Sequence, residues 1–252
     1  RPHVKNHKSP YFARKQIAAG AIGVCVAKVG EAEVMAEGGI QDIFIANEIV
    51  TPVKIARLMA VAGVAKVSVA VDTERNLRDL SAAARKSGVE IGVLVDVNIR
   101  LNRCGVEPGG PAVALARAAA DMSGVRFEGL MGYEGHITGA CNDEKARAET
   151  LQSLDKLLST IRAVEDAGLP VRVVSAGGTS TYAVAGAYER VTEIQAGSYI
   201  FMDGNYVNEL DHFSPAMTVL STVISRPAPD RAILDCGLKS ISAHAGQPKI
   251  VG

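Results

Sequence analysis

The sequence predicts a (β/α)8 barrel of the TIM type, followed by the opening strands of an antiparallel β domain. Three observations carry this expectation. Short apolar runs alternate with longer amphipathic stretches along most of the chain, as in a parallel α/β fold. Several runs are nearly continuous in β-branched residues, such as Val67-Ser68-Val69-Ala70-Val71, the texture of strands buried on both faces. The count reaches eight strands with seven helices between them, enough to close a barrel. A doubly wound open sheet is the competing architecture; it does not require eight strands, and no GxGxxG follows a strand.

In order, strands are expected at Pro2–Lys5, Ile22–Ala27, Ile43–Ala46, Val67–Val71, Ile91–Asp96, Phe127–Tyr133, Val171–Ala176 and Glu193–Ala196. Thr51-Pro52 supplies an N-cap with Pro at the first helical position, and that helix runs to about Ala62, with Gly63 able to cap it. Thr73 starts another helix, ending near Ser87-Gly88. The longest helix runs from about Asp143 to Ala167, with Leu, Glu, Lys and Arg at helical spacing. After Gly197 the texture changes. Val219–Ser225 and Arg231–Asp235 read as strands joined by Pro227-Ala228-Pro229-Asp230, with no helix between. Residues 1–210 are therefore assigned to the barrel and 211–252 to the start of a second β domain, which so few strands would not stabilise alone.

Composition narrows the function classes. The 252 residues carry 27 Lys+Arg against 27 Asp+Glu, so no broad field recruits nucleic acid or an anionic membrane. No apolar run reaches the length of a membrane span. Cys25, Cys104, Cys141 and Cys236 form no CxxC pair, which argues against a zinc ribbon or disulfide framework and for a reducing, cytoplasmic compartment. Cys104 reads as a small buried side chain, and Cys141 has no visible base partner.

In a closed barrel the chemistry lies at the strand C-termini. The first strand ends at Lys5 within Arg1-Pro2-His3-Val4-Lys5-Asn6-His7-Lys8. A lysine amine there can form a Schiff base with an aldehyde cofactor. The cations around it, His3, His7 and Lys8, would depress its pKa and leave more free amine. Ser175-Ala176-Gly177-Gly178-Thr179 and Gln195-Ala196-Gly197-Ser198-Tyr199 are turns at neighbouring strand ends, a pairing that favours a phosphate site. Other strand ends carry Lys28, Asn47-Glu48, Asp72, Asp96 and Gly132-Tyr133-Glu134-Gly135-His136. Taken singly, most of these have a bland alternative. Lys5 alone would be a solvated tail, Tyr133 a packing residue and His136 an exposed loop histidine. Arg100 is assigned to solvent and His244 to a loop.

These strand-end residues resemble the fold-type III pyridoxal-phosphate (PLP) enzymes, the alanine-racemase-like class, in the branch of D-threonine aldolase, D-3-hydroxyaspartate aldolase and D-serine dehydratase. The Arg1–Lys8 stretch is similar to the branch's lysine motif, with Asn6 where Thr is usual. Leu101-Asn102-Arg103-Cys104-Gly105 is similar to its Asn-Arg-x-Gly element. The resemblance implies Lys5 as the Schiff-base lysine and Arg103 near the cofactor's phenolic oxygen. It implies Tyr133 lining the ring, and Gly178, Thr179, Gly197, Ser198 and Tyr199 around the phosphate. His136 is the candidate second acid/base.

The implied reaction is retro-aldol cleavage of D-3-hydroxy amino acids, of the D-threonine or D-3-hydroxyaspartate type, to glycine and an aldehyde. Dehydration of D-serine or D-3-hydroxyaspartate is the alternative. A non-catalytic PLP-binding barrel is the alternative from another class, and the strands after Thr218 argue against it. An alanine-type racemase is less favoured, because no catalytic Tyr of a partner's β domain can be assigned. The resemblance also implies a homodimer and a divalent metal (Mn²⁺, Mg²⁺ or Zn²⁺) held by a His-x-Cys or His-x-Asp pair. Neither His212 nor His244 has Cys or Asp two residues on, so metal ligands are expected beyond this chain, with segments missing at both ends.

Overall fold

The computed structural model describes residues 1–204, 206, 210–242 and 247–250. His244 lies outside the described residues. The chain divides into two compact units, Arg1–Gly197 and Ser198–Gly252.

In the first unit, α1 (Pro10–Ala18), α2 (Val29–Glu37), α3 (Pro52–Ala62), α4 (Glu74–Ser87), α5 (Gly110–Asp121), α6 (Glu144–Asp166) and α7 (Tyr182–Gly186) alternate with strands. These are β1 (Val24–Val26), β2 (Asp42–Glu48), β3 (Lys66–Val71), β4 (Ile91–Asp96), β5 (Val125–Met131), β6 (Val173–Ala176) and β7 (Glu193–Ile194). All seven pair in parallel, each with its sequence neighbour.

The expected strand at Pro2–Lys5 is reduced to a single bridge, His3 to Cys25. Its backbone still bonds both edges of the sheet. Arg1 N–H donates to Ile194 O at 3.3 Å and His3 N–H to Ala196 O at 3.0 Å. On the other side Cys25 N–H donates to Pro2 O at 2.8 Å and Val4 N–H to Cys25 O at 2.9 Å. The first four residues thus close the sheet on itself, which removes both open edges. The segment is short because the chain turns at once: His7 and Lys8 N–H both return to Val4 O.

Strand periodicity divides the core in two. Cys25, Phe44, Ala70, Leu94 and Met131, from β1 to β5, form one buried cluster. Their neighbours one residue away, including Val24, Ile43, Val69, Val93 and Leu130, join the larger core beneath the helices. Side chains alternate faces along a strand, so the first set fills the barrel interior and the second packs the helix layer.

Helix ends follow the sequence signals. Thr73 Oγ1 accepts Asn76 N–H at 3.3 Å, and Gly88 ends α4 in the left-handed region at φ +66°. Asp143 caps α6 through Ala146 N–H at 2.7 Å. Among the described residues no helix is long and apolar enough to cross a membrane.

The second unit opens with a 3₁₀ turn, Ser198–Ile200, and contains β8 (Val223–Ala228) paired antiparallel with β9 (Arg231–Leu234). The strand reaches Ala228, so the turn is tighter than the four-residue linker expected. Leu220 and Leu238 are 96% and 80% exposed, and most of the hairpin's apolar side chains also face solvent.

Candidate active site

A cleft at the C-terminal ends of the barrel strands is lined by His3, Lys5, Ala46, Arg103, Met131, Tyr133 and Gln195. Lys5 reaches it because the chain breaks out of its edge pairing immediately after Val4. Partial burial and the Arg103 guanidinium both lower the Lys5 pKa. The cation that acts on Lys5 is thus Arg103, and not Lys8, whose ammonium lies 3.7 Å from Glu31. His3 is buried, and its pKa falls to about 3 through burial and then the charges of Lys5 and Arg103. It is neutral, and its Nδ1 accepts the Lys5 N–H at 3.3 Å. That places the ring proton on Nε2.

Arg103 stands on a tightly folded loop after β4. Val97 bridges to Val106, and Asn98 N–H donates to Val106 O at 2.8 Å. Asn98 Oδ1 accepts the N–H of both Arg100 and Asn102. Gly105 lies at φ +97°, where an added Cβ would stand 2.8 Å from Asn98 N. The loop presents Arg103 over the Tyr133 ring, 5.7 Å from its centroid. Arg100 turns away and donates to Gln152 Oε1 at 3.0 Å.

Beneath Arg103 lies an acidic group. Glu48, Asp96 and Cys104 offer side-chain atoms within 4.8 Å of one another. Asp96 is pushed up to about 8, by burial first and then by Glu48, with Arg103 opposing. Burial and a neighbouring carboxylate thus hold Asp96 toward its neutral form. Burial and Glu48 also raise the Cys104 thiol, which is half-buried, not fully buried as expected, and is no thiolate nucleophile.

The glycine turn after β6 borders the same cleft. A Cβ on Gly178 would sit 3.2 Å from Tyr133 Cε2, so the turn packs tightly against the ring. Its N–H donates to Thr181 Oγ1 at 2.9 Å. Gly197 approaches the first segment more closely still, a Cβ there standing 2.7 Å from His3 O, which excludes any larger residue without a shift of the backbone. The helix that follows the first turn, α7, spans only five residues. Ser198 and Tyr199 fall in the second unit. His136 is exposed and is not among the residues lining the cleft. Partial burial and Arg100 lower its pKa, with Glu149 opposing, so it is neutral near pH 7.

Sequence reasoning missed His3 and Gln195 as lining residues. The signal was present for His3: two residues before Lys5 in an extended segment, it shares that lysine's face. Gln195 was visible only as a strand end, and its bond to Ser175 Oγ at 2.8 Å is a tertiary fact.

A lysine and an arginine meeting in a cleft at the C-terminal ends of a parallel barrel, beside a glycine turn, define the class of barrels with an active site at that face. Relatives of known sequence and structure narrow that class. The family described as "Alanine racemase, N-terminal domain" matches residues 1–205, and "Putative serine dehydratase domain" matches residues 216–252. The chain belongs to the first of these families, in its fold-type III PLP branch. It is 44% identical over 257 residues to a D-threonine aldolase of Arthrobacter sp, covering 100% of this chain and 68% of that protein. A 3-hydroxy-D-aspartate aldolase of Paracoccus denitrificans is 36% identical over 263 residues, with the same coverage of each chain. The crystal structure of a D-threonine aldolase from Filomicrobium marinum superposes with a TM-score of 0.94 at 41% identity, covering 98% of this chain and 68% of that one.

Proposed function

We propose that the protein is a PLP-dependent carbon–carbon lyase that cleaves D-3-hydroxy amino acids, of the D-threonine or D-3-hydroxyaspartate type, to glycine and an aldehyde. The observation that carries this reading is the convergence of Lys5 and Arg103 on one cleft, in a chain 44% identical to a D-threonine aldolase. The residues fit the cofactor. A lysine of lowered pKa supplies free amine, the neutral His3 adds no competing cation, and two glycines admit close backbone approach.

Lys5 would hold the cofactor through its amine. Arg103 would face its phenolic oxygen and Tyr133 its ring. Gly178, Thr179 and Gly197 would surround its phosphate, joined by Ser198 and Tyr199 on the strength of the motif resemblance. Gly178 would serve by close approach, since its N–H is committed to Thr181. When bound, PLP supplies an electron sink for the pair released as Cα–Cβ breaks. His136 is the proposed second acid/base, accepting the proton of the substrate's β-hydroxyl. We further propose residues 1–210 as the cofactor-binding barrel, 211–252 as the opening of the β domain, and a homodimer as the acting form.

The metal implied by the resemblance finds no matching pair in this chain, because neither His212 nor His244 is followed two residues on by Cys or Asp.

The test is a product assay on the full-length protein with PLP and added Mn²⁺ or Mg²⁺. D-Threonine or D-3-hydroxyaspartate should yield glycine plus aldehyde. Keto acid plus ammonia would establish a dehydratase instead, the activity named for a Delftia structure that superposes with a TM-score of 0.85 at 30% identity. Binding of PLP without turnover of either substrate would leave a cofactor-binding protein.

A further inference from the structure

Glu134 is a fully buried carboxylate to which the chemistry above gives no task. It follows β5 by three residues and projects under the turn that follows β6. Its Oε2 accepts the Gly177 N–H at 3.3 Å, and its Oε1 accepts the Thr181 hydroxyl at 2.7 Å. Thr181 Oγ1 in turn accepts the Gly178 N–H at 2.9 Å, and Thr181 N–H closes back on Gly178 O at 3.2 Å. Gly177 sits at φ +78°, where a side chain would be strained and would crowd Ile194 and Ala185. Every one of these bonds spans the turn Gly177–Thr181 or ties it to β5. Thr181 is itself 2% exposed.

Burying a carboxylate is costly unless its oxygens are satisfied. Burial raises the Glu134 pKa, against the lowering effect of its hydrogen bonds to Thr181 and Gly177. Charge-assisted acceptance is stronger and more directional than neutral acceptance. Glu134 thus ties Gly177 directly, and Gly178 through Thr181, to one arrangement of the turn.

We propose that Glu134 is the positioning residue of the phosphate turn, acting through Gly177 and Thr181 so that the barrel selects the phosphorylated form of its cofactor. This rests on the PLP reading above. It extends that reading to a residue that touches neither cofactor nor substrate.

The experiment compares the affinities of the full-length apoprotein for pyridoxal 5′-phosphate and for phosphate-free pyridoxal. Binding is followed by cofactor absorbance, and folding by circular dichroism. The wild type should prefer the phosphorylated form strongly. Glu134→Ala leaves two buried donors unsatisfied and should lose about tenfold or more of that preference, while pyridoxal binding changes little. Thr181→Val breaks the same chain of bonds and should do likewise. Glu134→Gln keeps an acceptor and a donor in place and should recover most of the preference. A folded Glu134→Ala protein with wild-type preference would overturn the proposal. Should that variant not fold, Thr181→Val with undiminished preference would overturn it equally. A wild type that does not distinguish the two ligands, or carries no borohydride-fixed label on Lys5, would refute the cofactor reading instead.

Discussion

The two ends of the barrel use charge in opposite ways. At the N-terminal ends of the strands, charges are paired. Arg1 bridges Asp42 and Glu193, and Lys66 reaches Asp42 at 3.0 Å. Arg126 holds Glu90 and Glu128, and Glu128 also accepts the Ser68 hydroxyl at 2.6 Å. Burial alone would raise Asp42, but its bonds to Arg1 and Lys66 bring it below its ordinary value. At the C-terminal ends, like meets like. Lys5 faces Arg103, and Asp96 faces Glu48, so one amine and one carboxyl are pushed toward their neutral forms. Paired charges rigidify, whereas frustrated ones are poised for chemistry. The lesson is that one barrel can hold its stability at one end and its reactivity at the other.

Mutations at the two ends should separate accordingly. The largest effect is expected from Lys5→Ala, which should abolish turnover while leaving a folded, colourless protein. Borohydride reduction and peptide mapping of the wild type should place the pyridoxyl group on Lys5, and finding it on Lys8 or Lys28 would break the assignment. His136→Ala should lose roughly 10²–10⁴-fold in kcat with the cofactor retained. Wild-type turnover would return this exposed residue to a structural role.

The other end should show the reverse pattern. Arg1→Met leaves Glu193 buried without its cation and should cost about 3 kcal/mol in denaturant unfolding. Turnover well below the melting temperature should be unchanged. A loss of kcat at full folding would contradict the division between the ends.

The smallest effects are in pH dependence, and their signs differ. Asp96 has a folded pKa raised above its unfolded value, so as pH rises from about 4 to 8 the unfolded chain releases a proton that the folded chain keeps. Stability falls across that window. Asp96→Asn should therefore gain stability relative to wild type at pH 8 but not at pH 4, by at least about 1 kcal/mol. His3 runs the other way. Its folded pKa is depressed to about 3, so stability is full above about 6.5 and is lost as pH falls toward 3. His3→Asn should flatten that acid limb. Melting temperatures across pH 3–9 would test both.

The sequence by itself determined the alternation of strands and helices, because burial on both faces demands continuous apolar runs and helix ends demand Thr73, Gly88 and Asp143. It also singled out Lys5, Arg103 and the glycine turns as candidates, since a strand end, a motif and a backbone conformation are local properties, and the fold brings Lys5 and Arg103 to one cleft. The dwindling of the first strand to one bridge was not legible. It follows from closure, in which residues 1–4 must bond two edges at once and then turn to deliver Lys5. The acid pair Glu48–Asp96 and the anchoring of the turn by Glu134 were equally hidden. Their partners lie 48 and 47 positions apart or less, on or just after different strands, and only the parallel register brings those strand ends together. A side chain's type is written in the sequence, but its pKa is set by what the fold places beside it.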